Sequence, residues 1–99
     1  MWHRRPLVAG FAARYGGDEF LVVLTETSKE GAGIFCERLR KAIGERDITD
    51  GKDTIRLTVS MGYAIGGTDY EIDARSMVRH ADQALYKAKD QGRNRAIAY

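Results

Sequence analysis

The pair Gly16-Gly17, set between a stretch at residues 11–15 and the apolar run Phe20-Leu21-Val22-Val23-Leu24, constrains this chain more than any other feature. Adjacent glycines between two such segments predict a tight β-hairpin, because glycine reaches φ > 0 without a Cβ clash. Strands are read over residues 11–15 and 20–25, and the unbroken apolar character of the second predicts burial on both faces. Asp18 and Glu19 follow the glycines directly. Successive strand residues point to opposite faces, so these carboxylates serve one site only where the backbone bends. A paired carboxylate on a turn suits a hard divalent cation, Mg²⁺ above all, that leaves its other positions to water and substrate phosphates. The same glycines let a bulky phosphorylated ligand approach the main chain. Seen alone, the pattern is also that of a solvated hairpin turn, since Gly, Asp and Glu are ordinary on exposed loops.

At 99 residues, 43% hydrophobic and 30% charged, the chain has room for one core and no second domain. Its formal charge of +2 is a weak excess with cations and acids interspersed, which does not point to nucleic acid but suits an anionic small molecule. No apolar run approaches the roughly 20 residues of a membrane span, and no apolar signal region follows the basic N-terminus. The segment therefore reads as cytoplasmic, without membrane contact. Cys36 is the only cysteine, which excludes an intrachain disulfide and a cysteine-rich zinc site; it falls on the apolar face of a helix and reads as core.

Residues 1–8, with Pro6 and no periodicity, read as an irregular leader. Thr27 and Glu30 have capping-box spacing, and Phe35, Cys36, Leu39, Ala42 and Ile43 follow at helical intervals, predicting a helix over 28–44. The helix leaves Glu37, Arg38, Arg40, Lys41 and Glu45 on its wet face with no assigned function. Residues 47–53, with Asp50-Gly51, read as a turn. Ile55, Leu57, Val59 and Met61 alternate with polar residues, predicting a strand over 55–65 that ends at Gly66-Gly67. Asp73 is a good N-cap for a second helix whose stripe is Met77, Ala81, Ala84, Leu85 and Ala88, with Gly92 as its left-handed stop. His80 lies beside that stripe and reads as structural or exposed. Residues 96–99 complete the order as a short strand. Strand, turn, strand, helix, strand, helix, strand predicts an α+β or α/β sandwich, with helices packed on a mixed, mainly antiparallel sheet.

Lys87, Lys89 and Arg93 gather at the carboxyl end of the second helix. Cations there complement the helix dipole and cap its last carbonyls, which accounts for them without any ligand. A phosphate at this end finds no free backbone N-H groups and is held by side chains alone. Lys89 and Arg93, one on the last turn and one past the cap, can reach a common point.

Three segments together resemble the GGDEF family, the diguanylate cyclases. They are Ala13-Arg14-Tyr15-Gly16-Gly17-Asp18-Glu19-Phe20, Leu57-Thr58-Val59-Ser60-Met61-Gly62-Tyr63-Ala64, and Ala81-Asp82-Gln83-Ala84-Leu85-Tyr86-Lys87-Ala88-Lys89-Asp90-Gln91-Gly92-Arg93-Asn94. The resemblance covers residues 9–99, read as a truncated GGDEF domain after the leader, and implies a fold like that of nucleotide cyclases and polymerase palms. It implies an enzyme that condenses two GTP molecules into cyclic di-GMP with Mg²⁺ or Mn²⁺ and works as a two-fold dimer. By the same resemblance Gly16 and Gly17 lie against GTP, Asp18 is the catalytic acid and a metal ligand, Glu19 is a metal ligand, and Lys89 and Arg93 clamp the distal phosphates.

The family domain is longer, and its first strand and helices, with another metal-binding Asp and the guanine-reading residues, precede the matched region. The isolated chain is therefore expected to have little or no activity. It is also expected to self-associate through an exposed sheet edge beside residues 20–25. Leu7 and Gly10 stand where many members carry an inhibitory Arg-x-x-Asp motif, so inhibition by cyclic di-GMP at that place is not expected. A non-catalytic GGDEF module that binds nucleotide or a protein partner to transmit a signal is the alternative.

Overall fold

The computed structural model describes residues 9–66 and 73–99. The leader read over residues 1–8, and the strand end read at Gly67, lie outside the described residues.

Strands β1 (Ala9–Gly16) and β2 (Glu19–Thr25) form an antiparallel hairpin in which Phe11 faces Val23 and Ala13 faces Leu21. The register shifts between Arg14 and Gly16, an irregularity that bends the ladder as it enters the turn. Burial of β2 on both faces is not observed. Phe20 and Val22 are exposed at 70% and 39%, while Leu21 and Val23 between them are half-buried. A period of two thus runs from Glu19 to Val23 inside the unbroken apolar run, with Leu24 half-buried beside Val23.

Helix α1 (Lys29–Gly44) starts one residue later than the capping-box spacing suggests. Ser28, extended at φ −75° and ψ 168°, accepts from the Gly31 N-H at 3.0 Å, while the Thr27 hydroxyl donates to the Thr25 carbonyl at 2.8 Å. Ala32 and Cys36 are its buried residues, and burial pushes the Cys36 thiol pKa up, as expected of a packed cysteine.

The region read as a turn and a long strand is divided differently. Residues Ile48–Asp50 (β3) and Asp53–Ile55 (β4) pair as a small antiparallel hairpin around Gly51, whose φ of +65° suits the tight turn. Arg56 closes the base of this hairpin by donating to Asp47 at 2.6 Å. Strand structure resumes only at β5 (Met61–Tyr63). Ile55 is drawn into the local hairpin, and the alternation that reads as one strand therefore belongs to two elements joined by an irregular link.

Helix α2 (Ala74–Asp90) is capped by Asp73, whose carboxylate accepts from the Ser76 N-H at 2.7 Å. It ends in a Schellman motif: the Arg93 N-H donates to the Ala88 carbonyl at 2.9 Å and the Gly92 N-H to Lys89 at 3.3 Å, with Gly92 at φ +118°. Strand β6 (Ala96–Ala98) then pairs parallel with β5, Met61 against Ala96. The helix lies directly on this parallel pair. A Cβ added at Gly62 would collide with the Leu85 nitrogen and the Ala81 carbonyl oxygen, so the small residues Ala81, Ala84 and Ala88 let backbone meet backbone. His80 stacks on Tyr99 with ring centroids 3.9 Å apart, which gives it the structural place expected of it.

The class is the α+β arrangement expected, mixed and mostly antiparallel with helices on sheet. The described strands pair as three two-stranded sheets instead of one continuous sheet.

Candidate functional site

Gly17 and Asp18 form the tip of the β1–β2 hairpin, with Gly16 pairing across to Glu19. Gly17 alone of the two glycines takes a left-handed φ, +52°, as the first position of a two-residue loop requires. A Cβ added at Gly16 or Gly17 would find no atom within 4 Å, so the tip is open to close approach from outside. Arg14 fixes the tip from the strand side: its Nε and Nη2 both donate to the Gly17 carbonyl, at 2.9 and 2.6 Å. This fork is a contact that sequence reasoning missed, although the Arg three residues before the turn was in plain view.

Asp18 stands exposed at the tip, while Glu19 is half-buried as the first residue of β2. The bend separates the two carboxylates in environment. Lys89 on the last turn of α2 reaches across 70 residues of sequence and places its Nζ 3.3 Å from Glu19 Oε2, with both side chains 41% exposed. The structure thus brings together one acid of the turn and one cation of the helix end.

Arg93 does not join that pair but is held close to the helix by the Schellman turn, at φ +64°. The backbone after it is anchored on two sides. The Asn94 N-H donates to the Ser60 hydroxyl at 3.2 Å, and Asn94 Oδ1 accepts from Arg40 Nη1 at 3.1 Å. Arg40 is itself gripped by Glu37 at 2.8 and 2.9 Å, an interaction that lowers the Glu37 carboxyl pKa and raises that of the guanidinium. The wet face of α1 therefore has a use that its sequence did not show: it steadies the turn that carries Arg93.

Asp18 and Glu19 are hard oxygen donors, the type that Mg²⁺ or Mn²⁺ takes once or twice from protein before completing its shell with phosphate oxygens and water. The donor chemistry fits such an ion. Among the described residues no group of three or more His, Cys, Asp or Glu is placed to enclose one. Nor is any described helix long and apolar enough to cross a membrane.

The model of the family described as "Diguanylate cyclase, GGDEF domain" matches residues 3–95. Diguanylate cyclase A of Treponema denticola is 48% identical over 88 residues, 88% of this chain and 23% of that protein. Diguanylate cyclase DosC of Escherichia coli is 42% identical over 89 residues, 86% of this chain and 18% of that protein. The chain thus spans less than a quarter of these relatives. Among solved structures, the coiled coil and GGDEF domain of DgcB from Caulobacter crescentus, in complex with c-di-GMP, superposes with a TM-score of 0.81 at 30% identity. That match covers 91% of this chain and 48% of DgcB as solved. The active GGEEF domain of a diguanylate cyclase from Vibrio cholerae gives a TM-score of 0.76 at 35% identity, covering 92% of this chain and 56% of that domain. With a family match across nearly the whole sequence and a fold shared with two such domains, the chain belongs to the diguanylate cyclase GGDEF domain family.

Proposed function

We propose that residues 9–99 are the part of a diguanylate cyclase domain that supplies its acidic turn and its cationic helix end. The reaction is attack of the 3′-hydroxyl of one GTP on the α-phosphate of another, pyrophosphate leaving, repeated between the partners to close cyclic di-GMP. Gly16 and Gly17, with open space before them, admit the nucleotide to the main chain. Asp18 draws the proton from the attacking hydroxyl and, with Glu19, would hold Mg²⁺ or Mn²⁺. A bound divalent ion supplies charge neutralisation at the triphosphate and sharpens the nucleophile. Lys89 and Arg93 orient the distal phosphates. Each protomer holds one GTP, so a two-fold dimer is the working unit, with the edge of β2 that no second described strand pairs with as a further place for self-association. The domain works in the cytoplasm, where its substrate is.

The observation that carries this reading is the Glu19–Lys89 contact, which unites two motifs far apart in sequence at one point in space. Calorimetry with a non-hydrolysable GTP analogue and Mg²⁺ tests it. Binding that is lost in Glu19→Ala and Lys89→Ala supports the reading; binding indifferent to both substitutions contradicts it. Turnover by the 99-residue chain alone is expected to be negligible, since the solved domains it matches extend to about twice its span. Cyclic di-GMP production abolished by Asp18→Ala would overturn that expectation. Nucleotide binding with no turnover even within a full-length protein would favour a signalling module over an enzyme.

A further inference from the structure

The Glu19–Lys89 pair has a second side. It joins the two groups assigned above to different halves of a ligand, the carboxylate to the metal and the ammonium to the phosphate. As they stand, each satisfies the other: Lys89 Nζ lies 3.3 Å from Glu19 Oε2. We propose that Lys89 is the resident counter-ion of Glu19 and that loading the site is an exchange of partners, in which a triphosphate draws Lys89 away and frees Glu19 for the divalent ion. The inference rests on the proposed function for the identity of the two ligands, and on the observed contact for the exchange.

The charges make the direction clear. A divalent cation arriving alone meets a carboxylate that is already neutralised and an ammonium that repels it. A cation arriving with a triphosphate meets neither obstacle, because the phosphate takes the ammonium. Lys89 therefore opposes binding of the metal alone and favours binding of the metal with nucleotide. Both side chains are 41% exposed, so each can swing without unfolding its element, and the pair is weak enough to be broken by a ligand. Coupling of this kind is reciprocal: whatever factor nucleotide adds to the affinity for metal, metal adds to the affinity for nucleotide. Direct metal–phosphate contact also produces coupling. The distinguishing feature of the exchange is the behaviour of the metal when no nucleotide is present.

The test uses the whole 99-residue chain. Mn²⁺ binding is read by electron paramagnetic resonance without nucleotide, and binding of a non-hydrolysable GTP analogue with Mg²⁺ is read by calorimetry. Lys89→Gln and Lys89→Met, the latter keeping the apolar stem, are compared with the wild type after circular dichroism confirms their fold. The exchange predicts opposite signs: affinity for Mn²⁺ alone rises about two- to fivefold, the scale of an exposed ion pair, while affinity for the nucleotide falls. In a Glu19→Gln background the gain for Mn²⁺ disappears. A Lys that serves only as a phosphate clamp leaves Mn²⁺ binding unchanged, and that result, or a fall in both variants, overturns the proposal. A gain for Mn²⁺ with no nucleotide binding in any form retains Lys89 as counter-ion but overturns the proposed function. Absence of Mn²⁺ binding from every form overturns both.

Discussion

Gly17 has φ +52° and open space where a side chain would be, so the backbone alone requires glycine there. Gly17→Ala is expected to cost about 1 kcal/mol from the left-handed conformation, a fall of several degrees in Tm for a domain of this size. An unchanged Tm would show that the turn relaxes freely. Asp73 gives a pH effect of definite sign. Its carboxyl pKa is lowered first by the Ser76 N-H and then by the Ser76 side chain. A depressed folded pKa stabilises above the unfolded value, and the contribution is lost as pH falls through the folded value. Tm should therefore drop below about pH 4, and Asp73→Asn, which still caps but does not titrate, should make the drop shallower. Equal slopes in the two proteins would remove Asp73 from the account. Residues such as Gly17, Cys36 and Asp73 were legible because each has a local physical reason for its place. Arg14 and Arg40 were not, since a fork onto a carbonyl and a reach to Asn94 depend on how elements meet.

At the scale of elements, α2 and β5 depend on the absence of a side chain at Gly62. A Cβ there meets the Leu85 nitrogen and the Ala81 carbonyl oxygen, atoms of the helix backbone that cannot step aside. Gly62→Ala is expected to destabilise by about 1–3 kcal/mol, the usual cost of overpacking, read by urea denaturation. Stability within about 0.5 kcal/mol of the wild type would mean that α2 shifts to accommodate the methyl group. Both helices were readable from caps and stripes, because helix signals are local and span several turns. The strands were readable less well. Ile55, Leu57, Val59 and Met61 alternate as one strand does, yet β4 ends at Ile55 and β5 begins at Met61. Alternation records which side chains prefer cover, but pairing partners are chosen by topology: Ile48 claims Ile55 and Ala96 claims Met61. Gly51 holds the hairpin that the turn residues foreshadowed without revealing its two short arms.

The described residues bury little. Ala32, Cys36, Ala84 and Ala88 are the buried hydrophobic residues among them, whereas Phe11, Tyr15, Phe20, Val22, Tyr86 and others stand exposed. The radius of gyration is 15.0 Å, against about 13 Å for a compact domain of this length. Phe11 and Phe20 lie on the β1–β2 hairpin, and β2 pairs with β1 alone among the described strands. Apolar faces beside an open ladder favour pairing with another chain. Light scattering at high concentration should therefore show mass growing with concentration, and Phe20→Lys should reduce it. A monomer at all concentrations, with one cooperative thermal transition, would contradict this.

On the proposed function, the acidic turn and the end of α2 form one site for a metal and a triphosphate. The most direct measurement is paramagnetic broadening in two-dimensional NMR spectra of the chain with Mn²⁺ and a non-hydrolysable GTP analogue. Amides at residues 16–19 and 87–93 are expected to broaden together, and Glu19→Gln to weaken both effects. Broadening confined to one of the two segments, or centred on the β3–β4 hairpin, would contradict it.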